Sequence, residues 1–425
     1  MVGFQIGLHS HTVGNNLELD IGKWHIAVDT AERSEARHNM ENRGQQGSGN
    51  IAGNNVLPPA VPSAPAGSMR AYLEGGSKLT LIVLACNRPE YLSRTLTSLM
   101  KDVRGVRVED VLVVQDGKHA ETQKVIEDFG LNFVQNTGGT NLRRGAVNDG
   151  AARIATHYKF AITKGFEHNP ASPAVIVLED DFLFSPDFLE YFENNGPVLE
   201  EDPTTFIMSA WNDNGNKIHV NDRNKLLRTD YFPGLGWMMP RKLWSELGAS
   251  WPNTHWDHWM RDPLRHKGRS CVFPEVPRDY HIGVKGTFMD DFHHKAYFAD
   301  IGYNKDESFN WRGDEWKGVV KATYDNDLKE GIGGAKELNS LADFENVSGE
   351  RFVIYINVNP KNPTQPFKQI GQYFSIWHEI QRGGYEGVHG FWWKNENYVY
   401  IINEGEQGGF KSGRTGKLWA VGDFQ

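Results

Sequence analysis

The chain has 425 residues, 39% hydrophobic and 23% charged, with a net charge of −9. That balance suits about two to three folded domains and gives no basic footprint for nucleic acid or an anionic membrane. Two cysteines, Cys86 and Cys271, exclude a disulfide-built scaffold and a cysteine zinc site, and no run approaches the roughly 18–20 apolar residues that cross a bilayer.

Met1 opens no signal peptide, because the start lacks basic residues and soon reaches His9-Ser-His11. Any membrane anchor is expected outside this chain. Residues 1–76 differ in texture from the rest: 43–55 are rich in Gly, Gln, Asn and Ser, and 57–66 form a stiffer Pro/Ala spacer. They read as an N-terminal extension and linker, ordered only in part. The folded body starts near Lys78, where Leu79-Thr-Leu-Ile-Val-Leu-Ala85 reads as a buried strand. Residues 91–100 then carry apolar side chains at helical spacing. Val111-Leu-Val-Val114 is a second strand ending in Gln115-Asp116-Gly117, and helices are expected over 122–129 and 149–165. Next comes Val175-Ile-Val-Leu-Glu-Asp-Asp181, an apolar run that stops in three carboxylates. After it, Ser185 suits an N-cap, Pro186 a first turn and Asp187 the positive end of a helix. Strands alternating with helices predict an α/β fold with a mostly parallel sheet. From residue 319 the pattern changes: a strand at 351–357, a helix at 367–381, and a hairpin from 390–393 and 398–402 predict a smaller α+β unit.

The acidic run carries the most chemistry. In open α/β sheets ligands bind beyond the carboxyl ends of the strands. Three adjacent acids at such an end repel one another unless something positive joins them. A divalent cation holding a diphosphate meets that need, since hard cations take carboxylate and phosphate oxygens. The plainer alternative is an acidic loop after a core strand. Arg88 and Asp116 follow the first two strands and so face the same rim. A carboxylate there can accept the N3–H of uracil, and an arginine can brace phosphates. No Gly-rich phosphate loop occurs in the sequence.

Three further strings join Glu179-Asp-Asp181 to complete the pattern: Ser209-Ala-Trp-Asn-Asp-Asn-Gly215, Arg228-Thr-Asp-Tyr-Phe-Pro-Gly-Leu-Gly-Trp237 and Trp256-Asp-His-Trp-Met-Arg261. In order and spacing the chain resembles the β-1,2-N-acetylglucosaminyltransferases of glycosyltransferase family 13. The resemblance implies a GT-A nucleotide-diphospho-sugar transferase fold over 77–283, a nucleotide-closing loop and connector over 284–318, and a small C-terminal α+β domain over 319–425. It implies an inverting transfer of GlcNAc from UDP-GlcNAc to a terminal α-mannose of a glycoprotein glycan, in the Golgi lumen, with Mn²⁺ as cofactor. Asp181 is then the metal ligand and Asp257 the catalytic base. Glu179 and Asp180 hold the donor's sugar and ribose, while Arg88, Asp116 and His157 hold the uridine side. In the loop at 283–291 the family's small polar residue beside the phosphates is Phe288 here, which leaves Thr287 or backbone N–H groups as substitutes. The family's cysteine partners are Gly117 and Ile207 here, so both thiols are expected free.

Plainer roles stay open for several of these residues. His157 could be an ordinary helix histidine, Arg88 a solvated turn residue, and Asp257 a helix cap; Trp211 and Trp237 are more simply core. The N-glycan acceptor is preferred on Arg228-Thr-Asp-Tyr-Phe-Pro233. Tyr280-His-Ile-Gly283 instead leans toward an O-mannosyl acceptor. An inactive UDP-sugar-binding module is the third reading.

Overall fold

The apolar run after Lys78 forms β1 (Thr80–Ala85), in which every side chain is buried. The computed structural model describes residues 68–138, 150–344, 347–356, 366–394, 396–403 and 418–419, all within the unit Pro59–Gln425. Most of the expected N-terminal extension lies outside the described residues. Its last part does not read as linker: Ser68 caps a helix at Met69–Glu74 by accepting from Ala71 N–H, and Met69 is buried. The ordered body therefore reaches back to Ser68.

Along the chain follow β2 (Val111–Asp116), β3 (Asn132–Asn136), β4 (Ala174–Glu179), β5 (Phe182–Phe184), β6 (Thr205–Ser209), β7 (Leu226–Thr229), β8 (Trp237–Pro240), β9 (Ser270–Pro274) and β10 (Asp279–His281). Eight of them make one mixed sheet in the order β3-β2-β1-β4-β8-β6-β9-β7, while β5 and β10 form a separate ribbon. Strands β3, β2, β1 and β4 run parallel, as the alternation with helices predicts. Antiparallel β8 closes that half and leads into β6, β9 and β7. The register matters for function. Ala85 lies beside Gln115, Leu84 beside Glu179, and Asp116 beside Asn136, so four strands finish on one rim.

The helix Gly150–His168 covers one face of this sheet with Ala155, Tyr158, Ala161, Ile162, Gly165 and Phe166 buried. Its small residues permit close approach. A Cβ on Gly165 would meet Ile82 Cγ1 at 2.7 Å and Val175 Cγ1 at 3.3 Å. Gly165→Ala is therefore expected to destabilise the fold by about 1–3 kcal/mol through overpacking, despite the roughly 1 kcal/mol that alanine gains in a helix interior. A lowered urea midpoint with unchanged slope would show it.

Two expectations fail locally. Ser185 does not cap a helix. Phe182–Phe184 forms β5 and pairs with β10, almost a hundred residues further along the chain, and Ser185 N–H donates to Arg278 O at 2.9 Å. The helix starts at Phe188, and Asp187 makes no side-chain cap. Its carboxylate instead accepts from Arg278 Nε at 2.5 Å, Asn304 Nδ2 at 2.7 Å and Trp311 Nε1 at 2.9 Å. Both partners of the Arg278–Asp187 pair are fully buried, and a buried guanidinium claims its carboxylate more strongly than a helix end does. Second, the helix expected over 367–381 stops at Phe374, because Ser375 takes the left-handed conformation with φ 56°.

The C-terminal region builds its own sheet from β11 (Lys336–Glu337), β12 (Arg351–Ile356), β13 (Val388–Trp393), β14 (Asn397–Asn403) and β15 (Leu418–Trp419). Strands β13 and β14 are the expected antiparallel hairpin. Phe374, Ile354, Ile401 and Trp419 fill a core of its own. This sheet is tied to the larger one: His219 Nδ1 bonds Trp392 O at 2.9 Å, and Asp230 N–H donates to Gly384 O at 2.9 Å. No helix among the described residues is long and apolar enough to cross a membrane.

Candidate active site

The rim is assembled from strand ends. Beyond β1 the chain turns at Arg88, which occupies the N-cap position of the helix Pro89–Thr97 without capping it. Its guanidinium reaches instead across to β4, where it pairs with Asp180 and meets Asp181 Oδ2 at 2.7 Å. The same helix grips the acidic turn from below, since Thr95 Oγ1 donates to Asp180 O at 2.8 Å and accepts from Phe182 N–H at 3.0 Å. Glu179 accepts a 2.5 Å hydrogen bond from Tyr158 OH.

These acids are held away from water. Burial raises Glu179 to about 7, helped by the charge of Asp181 and opposed by Tyr158 and Arg88. Burial likewise lifts Asp180 to about 6 against the pull of Arg88. Asp181 is buried, its Oδ1 has no hydrogen-bond partner, and His281 Nε2 stands 3.5 Å from it. Among the described residues no three His, Cys, Asp or Glu side chains converge as a ready-made metal site. A cation held here would take its remaining ligands from water and from the molecule it helps to bind.

Asp116, at the end of β2, is held by Arg153 Nη2 at 3.0 Å. His157 lies deeper: Nε2 meets Val114 O at 3.1 Å and Nδ1 meets Asn136 Nδ2 at 3.4 Å. Both ring nitrogens are thus spent on the strands beneath the rim. Burial lowers its pKa from 6.5 to about 4, so the ring is neutral in the fold. The unfolded chain takes up that proton first. Stability should accordingly fall as pH drops from about 6.5 toward about 4. His157→Gln should flatten that acid limb in denaturant midpoints measured across the same window.

Thr287 sits against the start of the helix Gly150–His168; a Cβ on Gly150 would lie 2.6 Å from Thr287 Cγ2. Lys285 O of the same loop faces Arg88 Nη1 at 3.4 Å. Phe288 is 69% exposed, with its ring 6.4 Å from that of His255.

Asp257 lies in the first turn of the helix Trp256–Met260, preceded by His255 in the left-handed region with φ 43°. Strain of this kind persists only where the surroundings enforce it. Asp257 Oδ2 accepts from Arg261 Nη1 at 2.6 Å. Burial pushes its pKa up, but the charges of Arg261 and His258 prevail and hold it below the ordinary range. It is a carboxylate at neutral pH. Arg261 also donates to Phe232 O at 3.1 Å and lies 4.5 Å over the Tyr231 ring. Arg382 covers the same ring at 4.9 Å and pairs with Asp213 Oδ1 at 3.1 Å. The strings around residues 209, 228 and 256 therefore converge on one carboxylate, and the C-terminal region contributes Arg382.

Tyr158 joins the two acidic centres. Its hydroxyl bonds Glu179, and its ring stacks on Trp256 at 4.0 Å, one residue before Asp257. Tyr158, Arg261, Arg382 and His281 are contacts that sequence reading missed; the alanine-rich face of the helix at 150–168 is the signal that could have exposed Tyr158. Trp211 and Trp237 are fully buried and belong to the core. Cys86 and Cys271 are both free.

A profile of the GNT-I family matches residues 36–411. The chain is similar to the alpha-1,3-mannosyl-glycoprotein 2-beta-N-acetylglucosaminyltransferase of Arabidopsis thaliana, with 31% identity over 333 residues, 76% of this chain and 73% of the relative. Among solved structures it is similar to a mannosyltransferase of Pyrobaculum calidifontis in complex with GDP-Man and Mn²⁺ (17% identity, 47% of this chain, 57% of that one, TM-score 0.31). Another is TarS 1–349 of S. aureus in complex with UDP-GlcNAc (12% identity, 49% of this chain, 60% of that one, TM-score 0.33). The chain thus spans less than two thirds of each of these two structures.

Proposed function

The chain belongs to the GNT-I family, and from that premise we propose that it transfers GlcNAc from UDP-GlcNAc to a terminal α-mannose of a glycoprotein N-glycan, forming a β-1,2 linkage. The observation that carries this reading is the meeting of a buried acidic rim and an ionised Asp257 on either side of Tyr158.

Asp116 and Arg88 would receive the uridine end of the donor, with His157 fixing the strands beneath them. Glu179 and Asp180 would hold sugar and ribose, and Thr287 or the loop backbone would face the phosphates. The residues fit a divalent cation at Asp181: a buried carboxylate oxygen without a partner is a hard ligand that manganese accepts. Bound there, such an ion would neutralise the charge that develops on the departing diphosphate.

Asp257 takes the proton from the mannose 2-hydroxyl as that oxygen attacks the anomeric carbon. The new O–C bond forms while the bond to the diphosphate oxygen breaks, and UDP leaves with the bonding pair. Attack opposite the leaving group converts the α-linked donor sugar into a β-linked product. Arg261 keeps Asp257 ionised and pointed, and Arg382 with Tyr231 braces Arg261.

The relative's name specifies a mannosyl-glycoprotein acceptor, which supports the N-glycan over an O-mannosyl peptide. Competition between the two acceptors for limiting UDP-GlcNAc tests the assignment. Transfer to the mannose-terminated N-glycan is expected, and transfer to the O-mannosyl peptide alone would refute it.

A further inference from the structure

We infer that Tyr158 is a positioning residue for the transfer: its hydroxyl aims Glu179 at the donor's sugar, and its ring fixes the short helix that carries Asp257. The inference rests on the proposed roles of Glu179 and Asp257 and names the side chain that sets them relative to each other.

The hydroxyl acts at the end of β4. Glu179 is half-buried there, whereas Asp180 and Asp181 are buried, so Glu179 is the acid of the turn that keeps part of its surface open. Tyr158 OH donates to Glu179 Oε1 at 2.5 Å, at the short end of the range for such bonds. Burial and the charge of Glu179 raise the phenol well above its ordinary pKa, so it stays a donor. With Oε1 held, the carboxylate cannot swing, and Oε2 is the oxygen left to meet a sugar hydroxyl.

The ring acts on the base. The helix Trp256–Met260 has five residues and follows the left-handed His255, and a helix so short does not hold itself in place. Its anchor is Trp256. That indole stacks on Tyr158 with ring centres 4.0 Å apart, and on Trp237 and Trp251 at 5.7 and 5.9 Å. Phe232 meets it edge-on at 5.7 Å. Of these four neighbours Tyr158 is the closest, and it is the one hydrogen-bonded to the acidic rim.

The helix behind Tyr158 stiffens the arrangement. From the same element Arg153 pairs with Asp116 at 3.0 Å, His157 bonds Val114 O at 3.1 Å, and Ala155 O accepts from Trp251 Nε1 at 3.0 Å. One rigid segment therefore reaches the β2 rim, the β4 rim and the aromatic cluster under Asp257.

The plainer view is a buried core tyrosine. Tyr191 shows how such a residue behaves in this fold: fully buried, it donates to the main-chain Ser209 O at 2.7 Å and secures a neighbouring strand. Tyr158 gives its hydroxyl to a carboxylate at a strand end instead. Phenylalanine would fill the same space, so packing alone does not call for the hydroxyl.

The test compares UDP-GlcNAc with UDP, which lacks the sugar. Tyr158→Phe keeps the ring and loses the hydroxyl. It should bind UDP with manganese as the unsubstituted protein does, yet bind UDP-GlcNAc on the order of 10-fold more weakly. Its turnover should stay near the original rate once the donor saturates. Added to Glu179→Gln it should cost nothing further, because the two residues act as one unit. Tyr158→Leu also removes the stack and should lower turnover at saturating donor on the order of 10-fold or more. Equal loss of UDP and UDP-GlcNAc binding in Tyr158→Phe, or loss of neither, overturns the inference, as does an additive loss in the double variant. A folded Tyr158→Leu that turns over as fast as Tyr158→Phe overturns the role of the ring. Absence of transfer by the unsubstituted protein overturns the proposed function itself. Tyr158→Phe, which leaves the core filled, decides the matter even if Tyr158→Leu does not fold.

Discussion

Asp257→Asn is expected to remove sugar transfer while leaving the affinity for UDP and manganese close to its original value. The amide has the size of the carboxylate, and its oxygen can still accept from Arg261, which holds Asp257 at 2.6 Å. What it cannot do is take a proton. Loss of a positioned general base costs on the order of 10²–10⁴-fold in rate, and here the loss should fall on turnover. Binding should be spared because Asp257 belongs to the helix Trp256–Met260, which meets the acidic rim through Tyr158 and Trp256 rather than forming part of it. Single-turnover rates and equilibrium UDP binding, measured on the same preparation, separate the two effects. Undiminished turnover would mean that another group removes the proton.

Asp181→Asn is expected to do the reverse and weaken cation-dependent UDP binding, on the order of 10- to 100-fold or more. Two features set the size of that loss. The carboxylate is buried with one oxygen unpaired, so its charge is poorly screened by water. Arg88 already satisfies Oδ2 at 2.7 Å, which leaves Oδ1 as the oxygen directed at a ligand. UDP binding measured without added cation should change little, because Arg88 keeps its pairing with Asp180. If the variant loses cation-free and cation-dependent binding equally, Asp181 serves the fold rather than the ion.

The strands were the most legible part of the chain. Thr80–Ala85, Val111–Asp116 and Ala174–Glu179 are apolar runs ending in polar turns, and short-range pattern suffices to place such elements and the rim they share. The misreadings come from partners distant in sequence. Ser185, Pro186 and Asp187 have the composition of a helix start, yet Asp187 is claimed by Arg278, Asn304 and Trp311, all contributed by residues beyond position 270. No local signal announces that competition. Arg382 is a similar case, since it reaches Asp213 across 169 residues. His157 shows a further limit. Its helix was evident, but only the fold reveals that both ring nitrogens are already occupied. In sequence, Tyr280-His-Ile-Gly283 bears only on the acceptor, whereas the pairing of His281 with Phe182 places it at the acidic turn. The N-terminal extension before Ser68 lies outside the described residues.

The most direct measurement is proton NMR of the product formed from UDP-GlcNAc and an α-mannose-terminated N-glycan, with manganese present and with it chelated. A single new β-linked GlcNAc on O2 of mannose, formed only with the metal, is the predicted result. An α-linked product, equal transfer in chelator, or free GlcNAc released without any coupling to mannose would contradict it.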